Sequence, residues 1–313
     1  PAPSQQELRE QRKADSSSLA PRYAEESGSS KSQAEGDNLR DRAQTEATGI
    51  RERLPDTELR VSLEILQESG LMPRDEDLER VAGEFRRIKR PILQTAFGAG
   101  SVGEQNPNVV MIASALPKTG KTFCAINLAI SIARERDVGS VLVDADVLKP
   151  NISRVLGLEN HLGLIDYLLD SSISIDEVLV PTNFDDIVVV PAGQPHEEAT
   201  ELLASRRMEQ FVRSISDRFR SRAIVVDTPP LLLTNEAHVL AEHMGQIALV
   251  IEAGDSRQGS VSDALAALNR DKPINAILNK SRGTITGGYD QRGYGYGYYA
   301  PVYGGPGHDE IKE

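Results

Sequence analysis

Residues 109–129 read Val109-Val-Met-Ile-Ala-Ser-Ala-Leu-Pro-Lys-Thr-Gly-Lys-Thr-Phe-Cys-Ala-Ile-Asn-Leu-Ala129. The stretch begins with a short apolar run typical of a buried strand, continues through a tight loop and ends in an apolar helical segment. The loop closes on Gly120-Lys121-Thr122. A strand, a loop and a helix in this order predict one unit of a sheet that is covered by helices.

The loop at residues 115–122 suits a bound phosphate, because the N–H groups of a loop and a helix start point at an anion and the helix dipole favours negative charge. Lys121 is expected to reach the β- and γ-phosphates of a nucleotide, and the hydroxyl of Thr122 is expected to bind Mg²⁺. The strict pattern G-x-x-x-x-G-K-[ST] is not met, since Ala115 replaces the first Gly. Gly-Lys-Thr alone is common, so the prediction depends on the strand and helix around it.

Composition narrows the class of protein. The chain has 313 residues, enough for one large α/β domain with extensions. Its net charge of -12 argues against a partner nucleic acid, which normally requires a basic face. The single cysteine excludes a disulfide framework and fits a reducing compartment. No apolar run reaches about 18 residues, so no transmembrane helix is expected. A cytoplasmic location is expected instead.

Apolar runs alternate with helical patterns from about residue 108 onwards. The predicted strands are continuous apolar runs, as in parallel strands buried on both faces: residues 109–113, 140–144, 187–190, 223–227, 247–252 and 276–279. The helices predicted between them are residues 121–135, 164–169, 201–219, 235–243 and 260–269. This alternation predicts an α/β fold with a doubly wound, mostly parallel sheet and helices on both faces.

Four segments are expected along the chain. Residues 1–57 are polar and Ser-rich, a composition typical of disorder, and residues 58–105 are expected to form two helices, near 58–69 and from about 75 to 89. Residues 106–282 form the α/β domain. Residues 283–313 are expected to form a flexible arm, because Gly residues separate its tyrosines. These are six of the chain's eight tyrosines: Tyr289, Tyr294, Tyr296, Tyr298, Tyr299 and Tyr303.

Acidic residues follow two of the predicted strands, at the edge where doubly wound sheets bind ligands. Asp144 and Asp146 follow one strand, and Asp227 ends another before Pro229 and Pro230 turn the chain away. A single Asp at a strand end is usually a helix cap or a loop residue. Three of them behind one phosphate loop are better explained as Mg²⁺ ligands and a base, because Mg²⁺ takes one or two carboxylates with phosphate oxygens.

Other reactive or charged side chains have simpler interpretations on the residues alone. Glu84, Arg87 and Arg90 are spaced by three residues and share one helix face, which by itself is typical of a solvated surface. Cys124 is interpreted as a small core residue of the helix after the phosphate loop. The five histidines show no spacing typical of a metal site.

Taken together, the motifs resemble those of the bacterial tyrosine kinases (BY-kinases), which have a P-loop NTPase fold. Residues 114–122 resemble the family's modified Walker A motif, residues 141–146 its second acidic motif, and residues 225–230 its Walker B motif. The Tyr-rich arm is similar to the family's autophosphorylation cluster. Glu84-x-x-Arg87-x-x-Arg90 matches the helix motif that holds subunits of the family in a ring, so the resemblance favours an oligomer contact there. It covers about residues 75–303.

Residues 84–91 and 199–205 look closest to the exosortase-associated branch of the family, which is tied to exopolysaccharide production. The sequence departs from the family at two positions. Lys118 stands where the family usually has Gly, so a positive φ at this residue would strain the loop. Alternatively, the positive charge of Lys118 would help to bind phosphate. Leu148 occupies a place where the family often has Arg, with Lys149 next to it.

The resemblance implies an ATP-dependent protein-tyrosine autokinase that regulates exopolysaccharide polymerisation or export. It implies that ATP is held by Ala115, Pro117, Lys118, Thr119, Gly120, Lys121, Thr122 and Phe123. The expected catalytic residues are Lys121, Asp144, Asp146 and Asp227, with Thr122, Asp146 and Asp227 holding Mg²⁺. Asp144 is expected to accept the proton of the tyrosine, although Asp146 could exchange roles with it. Asn279 is a weaker candidate for adenine recognition, since such an Asn is as often a loop hydrogen-bonder.

The partners that the resemblance implies are copies of the chain in a ring, a separate membrane-bound polysaccharide chain-length protein as activator, and a cognate tyrosine phosphatase. The six tail tyrosines would be the acceptors, on a neighbouring subunit. The membrane-bound partner would recruit the chain to the inner face of the plasma membrane.

Two alternative functions stay open. One is a spatial-organising ATPase of the MinD/ParA type, which carries a signature Lys where this chain has Leu116; the other is a catalytically weak, nucleotide-dependent scaffold.

Overall fold

The computed structural model describes residues 59–98, 105–184, 186–269 and 271–281. The predictions for residues 1–57 and for the arm at 283–313, with its six tyrosines, therefore lie outside the described residues. Within the described ranges, no helix has the length and apolar character needed to cross a membrane.

A seven-stranded sheet forms the centre of the described α/β domain. In spatial order its strands are β3 (Val180–Pro181), β4 (Ile187–Val190), β2 (Gly139–Asp144), β5 (Arg222–Asp227), β1 (Val109–Ser114), β6 (Gln246–Glu252) and β7 (Ile274–Asn279). Neighbouring strands run parallel except β3 and β4, which are antiparallel. The six strands predicted from apolar runs are confirmed, whereas the two-residue strand β3 is too short for a sequence pattern.

Helices cover both faces of this sheet. One face carries α1 (Leu63–Glu68), α2 (Asp75–Phe97), α3 (Lys121–Ala133) and α4 (Asn151–Val155). The other carries α5 (Leu164–Leu169), α6 (Ala199–Leu203), α7 (Arg206–Arg218), α8 (Asn235–His243) and α9 (Gln258–Ala266). Alternate residues of each strand supply the two cores: Met111 belongs to one and Ile112 to the other. The doubly wound sheet predicted from the sequence is confirmed.

Helix α2 is longer than the sequence predicts. The prediction ends it near residue 89, two residues before Pro91; a proline lacks an N–H and usually disrupts a helix at a cost of about 3 kcal/mol. The helix instead continues through Pro91 to Phe97. Ile92 and Ala96, in the added turns, are buried in the core beneath the helix. Burial of these side chains therefore outweighs the local preference of proline.

The single helix predicted over residues 201–219 is two helices, and Ser205 separates them. The Oγ of Ser205 accepts a hydrogen bond from the N–H of Met208, at 3.3 Å. A serine in this position caps the start of a helix. The chain therefore ends α6 before Ser205 and begins α7 directly after it, which places Met208, Phe211 and Ile215 in the core.

Candidate active site

The carboxyl ends of β2, β5 and β1 lie side by side in the sheet. Asp144, the last residue of β2, is paired in register with Asp227, the last residue of β5. Asp227 is also paired with Ile112 of β1, and the N–H of Ala145 donates to its carbonyl at 2.8 Å. The sheet thus brings the predicted acids next to the loop that follows β1, at the edge where parallel sheets bind ligands.

The phosphate loop is fixed on one side by the segment after β5. The N–H groups of Leu231 and Leu232 donate to the carbonyls of Ser114, at 2.8 Å, and Ala115, at 3.1 Å. At the end of the loop Gly120 adopts a left-handed conformation with φ of 92°. A Cβ at this position would also lie 2.1 Å from the Nδ2 of Asn279. Glycine is therefore required at position 120 both by the backbone and by its neighbour.

Lys118 adopts a left-handed conformation, with φ of 64°. This region costs a residue with a side chain roughly 1–2 kcal/mol relative to glycine. The strain that the sequence predicted for a positive φ at this position is therefore present in the loop. The Lys118 side chain is exposed, and the residue lines the cleft described next.

The loop opens onto a cleft of about 890 Å³, within the range of roughly 300–1,000 Å³ typical of small-molecule sites. Predicted site residues that line it are Pro117, Lys118, Gly120, Lys121, Thr122, Phe123 and Asp146. Lys149 and Arg154 also line the cleft, so its basic side chains outnumber the acidic Asp146 and Glu159 and favour an anionic ligand. Ala115 and Thr119 also belong to the loop, but they are buried and do not line the cleft.

Thr122 and Asp227 are joined by a hydrogen bond in which the hydroxyl donates to Oδ2 at 2.7 Å. Asp227 is almost completely buried, and its Oδ1 has no hydrogen-bond partner among the described residues. Burial raises the pKa of Asp227 to about 7, although the Thr122 hydrogen bond and the charge of Lys121 oppose the rise. An orphaned buried oxygen beside a hydroxyl and phosphate loop fits a bound Mg²⁺, which takes oxygen ligands.

Asp144 is buried and lies outside the cleft lining. Its Oδ2 accepts hydrogen bonds from the N–H and the hydroxyl of Ser153, each at 2.8 Å, while Oδ1 has no partner among the described residues. Burial raises the pKa of Asp144 to about 7, and the nearby charge of Asp227 adds to the rise. Asp146 does line the cleft, and burial raises its pKa against the opposing charge of Lys121. The geometry therefore favours Asp146 over Asp144 for contact with a substrate hydroxyl.

Asn279 lies at the end of β7 and contacts the phosphate loop. Its Nδ2 donates to the carbonyl of Thr119 at 2.7 Å, and the residue is not part of the cleft lining. This contact is that of a loop hydrogen-bonder, one of the two interpretations of the sequence. Adenine recognition by Asn279 stays a prediction.

The charged motif on α2 lies away from the cleft lining. Glu84, Arg87 and Arg90 are all exposed. Glu84 accepts a hydrogen bond from Nη1 of Arg80, one turn earlier, at 2.8 Å. Exposure is compatible with a contact between subunits, which stays a prediction.

Two contributors to the site have no sequence motif. Ser153 holds Asp144 by the two hydrogen bonds described above, and no pattern marks it. Lys280 donates from Nζ to the carbonyl of Lys118 at 2.6 Å and to Oε1 of Glu252 at 2.9 Å. Its position directly after Asn279, at the end of the last strand, was the one available signal.

No group of three or more His, Cys, Asp or Glu side chains in the described part of the chain has metal-binding geometry, so a metal here would depend on ligand oxygens as well.

The sheet, the loop and the acids define an α/β protein of the P-loop class. No protein-family model matches the chain. It is 31% identical over 189 residues to the tyrosine-protein kinase YwqD of Bacillus subtilis, covering 60% of this chain and 78% of that protein. It is 29% identical over 213 residues to the tyrosine-protein kinase Wzc of Salmonella typhimurium, covering 67% of this chain. The chain belongs to the bacterial tyrosine kinase family.

Solved structures agree with this assignment. The kinase domain of the Escherichia coli tyrosine kinase Etk superposes with a TM-score of 0.51 at 29% identity, over 64% of this chain and 76% of that domain. The kinase domain of VpsO, at 22% identity and a TM-score of 0.54, covers 66% of this chain and 98% of that domain and supports the fold. The chain spans 28% of the length of Wzc. Membership of a kinase family implies the use of a nucleotide with a metal.

Proposed function

We propose that this chain is an ATP-dependent protein-tyrosine autokinase that transfers the γ-phosphoryl group of ATP to tyrosines of its own C-terminal arm. The observation that carries the proposal is the 2.7 Å hydrogen bond between Thr122 of the phosphate loop and the buried Asp227. It joins the two motifs that would share Mg²⁺, in a chain whose relatives are named tyrosine kinases.

Phosphoryl transfer depends mainly on positioning and electrostatics. The loop N–H groups and Lys121 would hold the β- and γ-phosphates, and Lys121 is buried, so its charge is poorly screened by water. Bound between Thr122, Asp227 and the phosphates, Mg²⁺ would neutralise negative charge that develops on the phosphate oxygens and would leave Asp146 free to act as a base.

The acceptor hydroxyl would lose its proton to Asp146, which lines the cleft, while Asp144 and Ser153 hold the strand end that carries it. The tyrosine oxygen forms a bond to the γ-phosphorus, and the bond between that phosphorus and the β–γ bridging oxygen breaks. ADP leaves with the bridging oxygen. Phosphotyrosine and ADP are therefore the expected products.

The remaining parts of the proposal rest on family membership. The acceptors are Tyr289, Tyr294, Tyr296, Tyr298, Tyr299 and Tyr303, and Glu84, Arg87 and Arg90 join subunits so that one arm reaches a neighbouring cleft. A membrane-bound polysaccharide chain-length protein recruits and activates the kinase at the inner face of the plasma membrane, and a cognate phosphatase reverses the reaction. Exopolysaccharide polymerisation or export is the regulated process.

The test is transfer of label from γ-³²P-ATP to the purified full chain with Mg²⁺, followed by identification of the labelled amino acid. We expect phosphotyrosine, and we expect Lys121→Ala to lower the rate by about 10²–10³ or more. Lys272→Ala, at the opposite end of β7 from the loop, is the matched control and keeps the rate. Release of labelled phosphate without phosphotyrosine would instead favour an organising ATPase.

A further inference from the structure

Two consecutive residues at the end of β7, Asn279 and Lys280, hold two consecutive carbonyls of the phosphate loop. The Nδ2 of Asn279 donates to the carbonyl of Thr119 at 2.7 Å, and the Nζ of Lys280 donates to the carbonyl of Lys118 at 2.6 Å. Neither donor residue is part of the cleft lining. Both contacts therefore act on the backbone of the loop from behind, and leave the cleft free for a ligand.

Lys280 is itself anchored to the sheet. Its Nζ lies 2.9 Å from Oε1 of Glu252, and the Glu252 side chain is only 18% exposed. Glu252 ends β6 and is paired in register with Asn279 of β7. The Nζ thus bridges a carboxylate fixed at the edge of the sheet and a carbonyl of the loop. Hydrogen bonds in which the donor is charged are stronger than neutral ones, so this bridge resists movement of the loop.

The loop needs such a restraint at the residue that Lys280 contacts. Lys118 is held at φ of 64°, a conformation that a residue with a side chain leaves readily for the right-handed or extended regions. A change of φ at Lys118 would turn its carbonyl and reorient the N–H groups that follow. Gly120, Lys121 and Thr122, which follow Lys118 and Thr119, line the cleft.

We propose that Lys280 is a positioning residue for the phosphate loop. Supported by Glu252, it holds the carbonyl of Lys118 and thereby keeps this residue left-handed and the loop N–H groups directed into the cleft. The effect on the nucleotide rests on the proposed function, whereas the effect on the loop does not. Lys280 acts through the backbone of Lys118 and touches no substrate.

The first test measures the loop without any nucleotide. Hydrogen–deuterium exchange of the backbone amides of residue 116 and residues 118–121 is compared in the full chain and in Lys280→Met. We expect exchange to be faster by roughly fivefold or more in the variant, the scale expected for loss of a charge-assisted hydrogen bond. Unchanged exchange of these amides in Lys280→Met would overturn the proposal.

Lys272→Met is the matched control. The Nζ of Lys272 also donates to backbone carbonyls, those of Ala241, Glu242 and Met244 at the end of α8, but it precedes β7 whereas Lys280 follows it. This variant is expected to lower the melting temperature while it leaves the exchange of residue 116 and residues 118–121 unchanged. Faster exchange of the loop in both variants would mean general destabilisation and would contradict a specific role for Lys280.

The second test measures the affinity of the full chain for MgADP by calorimetry in two backgrounds. Lys280→Met should weaken binding by roughly fivefold. In Lys118→Gly the same substitution should have a smaller effect, because glycine adopts a positive φ without a penalty and needs less restraint. An equal loss in both backgrounds would contradict the positioning role. Absence of MgADP binding by the unmodified chain, together with the expected exchange result, would overturn the proposed function but not the loop restraint.

Discussion

Asp144 and Asp227 are paired residues at the ends of two neighbouring parallel strands, and both carboxyl groups are buried. Each has one oxygen without a hydrogen-bond partner among the described residues. A folded chain does not ordinarily keep two adjacent buried acids, because burial and mutual repulsion disfavour their charged forms. The arrangement costs stability in the chain alone and would be relieved by a cation, so we attribute it to function.

This cost predicts how Asp144→Asn affects stability. The pKa of Asp144 is raised from its ordinary value to about 7, so the folded chain binds more protons than the unfolded chain between about pH 4 and pH 7. The wild-type free energy of unfolding should therefore fall as the pH rises through this window. Asp144→Asn removes the penalty and should raise the melting temperature by at least about 2–4 °C at pH 8 without Mg²⁺. Thermal melts at pH 5 and pH 8 measure this.

The difference between Asp144→Asn and the wild type should shrink at pH 5, where the buried acid is largely protonated. A variant that is less stable than the wild type at pH 8 would contradict the assignment of a destabilising carboxylate at this position.

Thr122→Val tests the link between the phosphate loop and the buried acid. The substitution keeps the shape of the side chain but removes the hydroxyl that donates to Oδ2 of Asp227, while Oδ1 already has no partner among the described residues. Affinity for ADP in the presence of Mg²⁺ should fall by about tenfold or more, as expected for a lost hydrogen bond to a charged group. The affinity measured in EDTA should change much less.

Thr234→Val is a suitable control for this variant. Thr234 also lines the cleft, but its Oγ1 donates to the carbonyl of Pro230 and contacts none of the acids. Equal losses in the two variants would show that Thr122 has no special connection to the metal.

Cys124 should be chemically inert in the folded chain. It is buried on α3, and burial raises the pKa of its thiol to about 12, with the charge of Asp227 adding to the rise. Because the thiolate is the reactive form, a thiol reagent at pH 8 should not modify the native protein, whereas one thiol per chain should react in guanidinium chloride. Rapid modification of the native chain would show that the core around α3 opens readily.

The continuation of α2 past Pro91 predicts a large effect of Ile92→Ala. Ile92 is completely buried, so its truncation should lower the free energy of unfolding by about 2–5 kcal/mol. Phe97→Ala, at the exposed end of the same helix, should cost less, because that side chain is 37% exposed. Urea unfolding of the two variants measures the difference. Similar small losses would indicate that the helix beyond Pro91 is not packed as described.

Much of the fold could be predicted from the sequence, because parallel strands buried on both faces leave continuous apolar runs such as residues 109–113. The acids were found for the same reason, since Asp144 and Asp227 directly follow such runs. The length of α2 could not be predicted, because the burial of Ile92 that outweighs Pro91 is a tertiary effect. Serine is a common helix cap, so a helix start at Ser205 could have been predicted, but the apolar spacing over residues 201–219 fits one continuous helix.

Side-chain pairs between distant segments were the least predictable part of the site. Lys280 and Lys118 are 162 residues apart, and Thr122 and Asp227 are 105 residues apart. For Thr122 and Asp227 the sequence predicts a shared role, because their two motif types bind one metal, but it does not predict their hydrogen bond. Lys280 and Lys118 belong to no motif that would indicate a contact between a lysine and a backbone carbonyl.

The central claim is that the cleft beside Thr122 and Asp227 transfers phosphate to the chain's own tyrosines. Mass spectrometry of the purified chain after incubation with ATP and Mg²⁺ tests it most directly, with Lys121→Ala as the inactive reference. The account predicts phosphotyrosine among residues 289–303 in the wild type and its near absence in Lys121→Ala. Phosphotyrosine that is absent from both, or equally abundant in both, would contradict it.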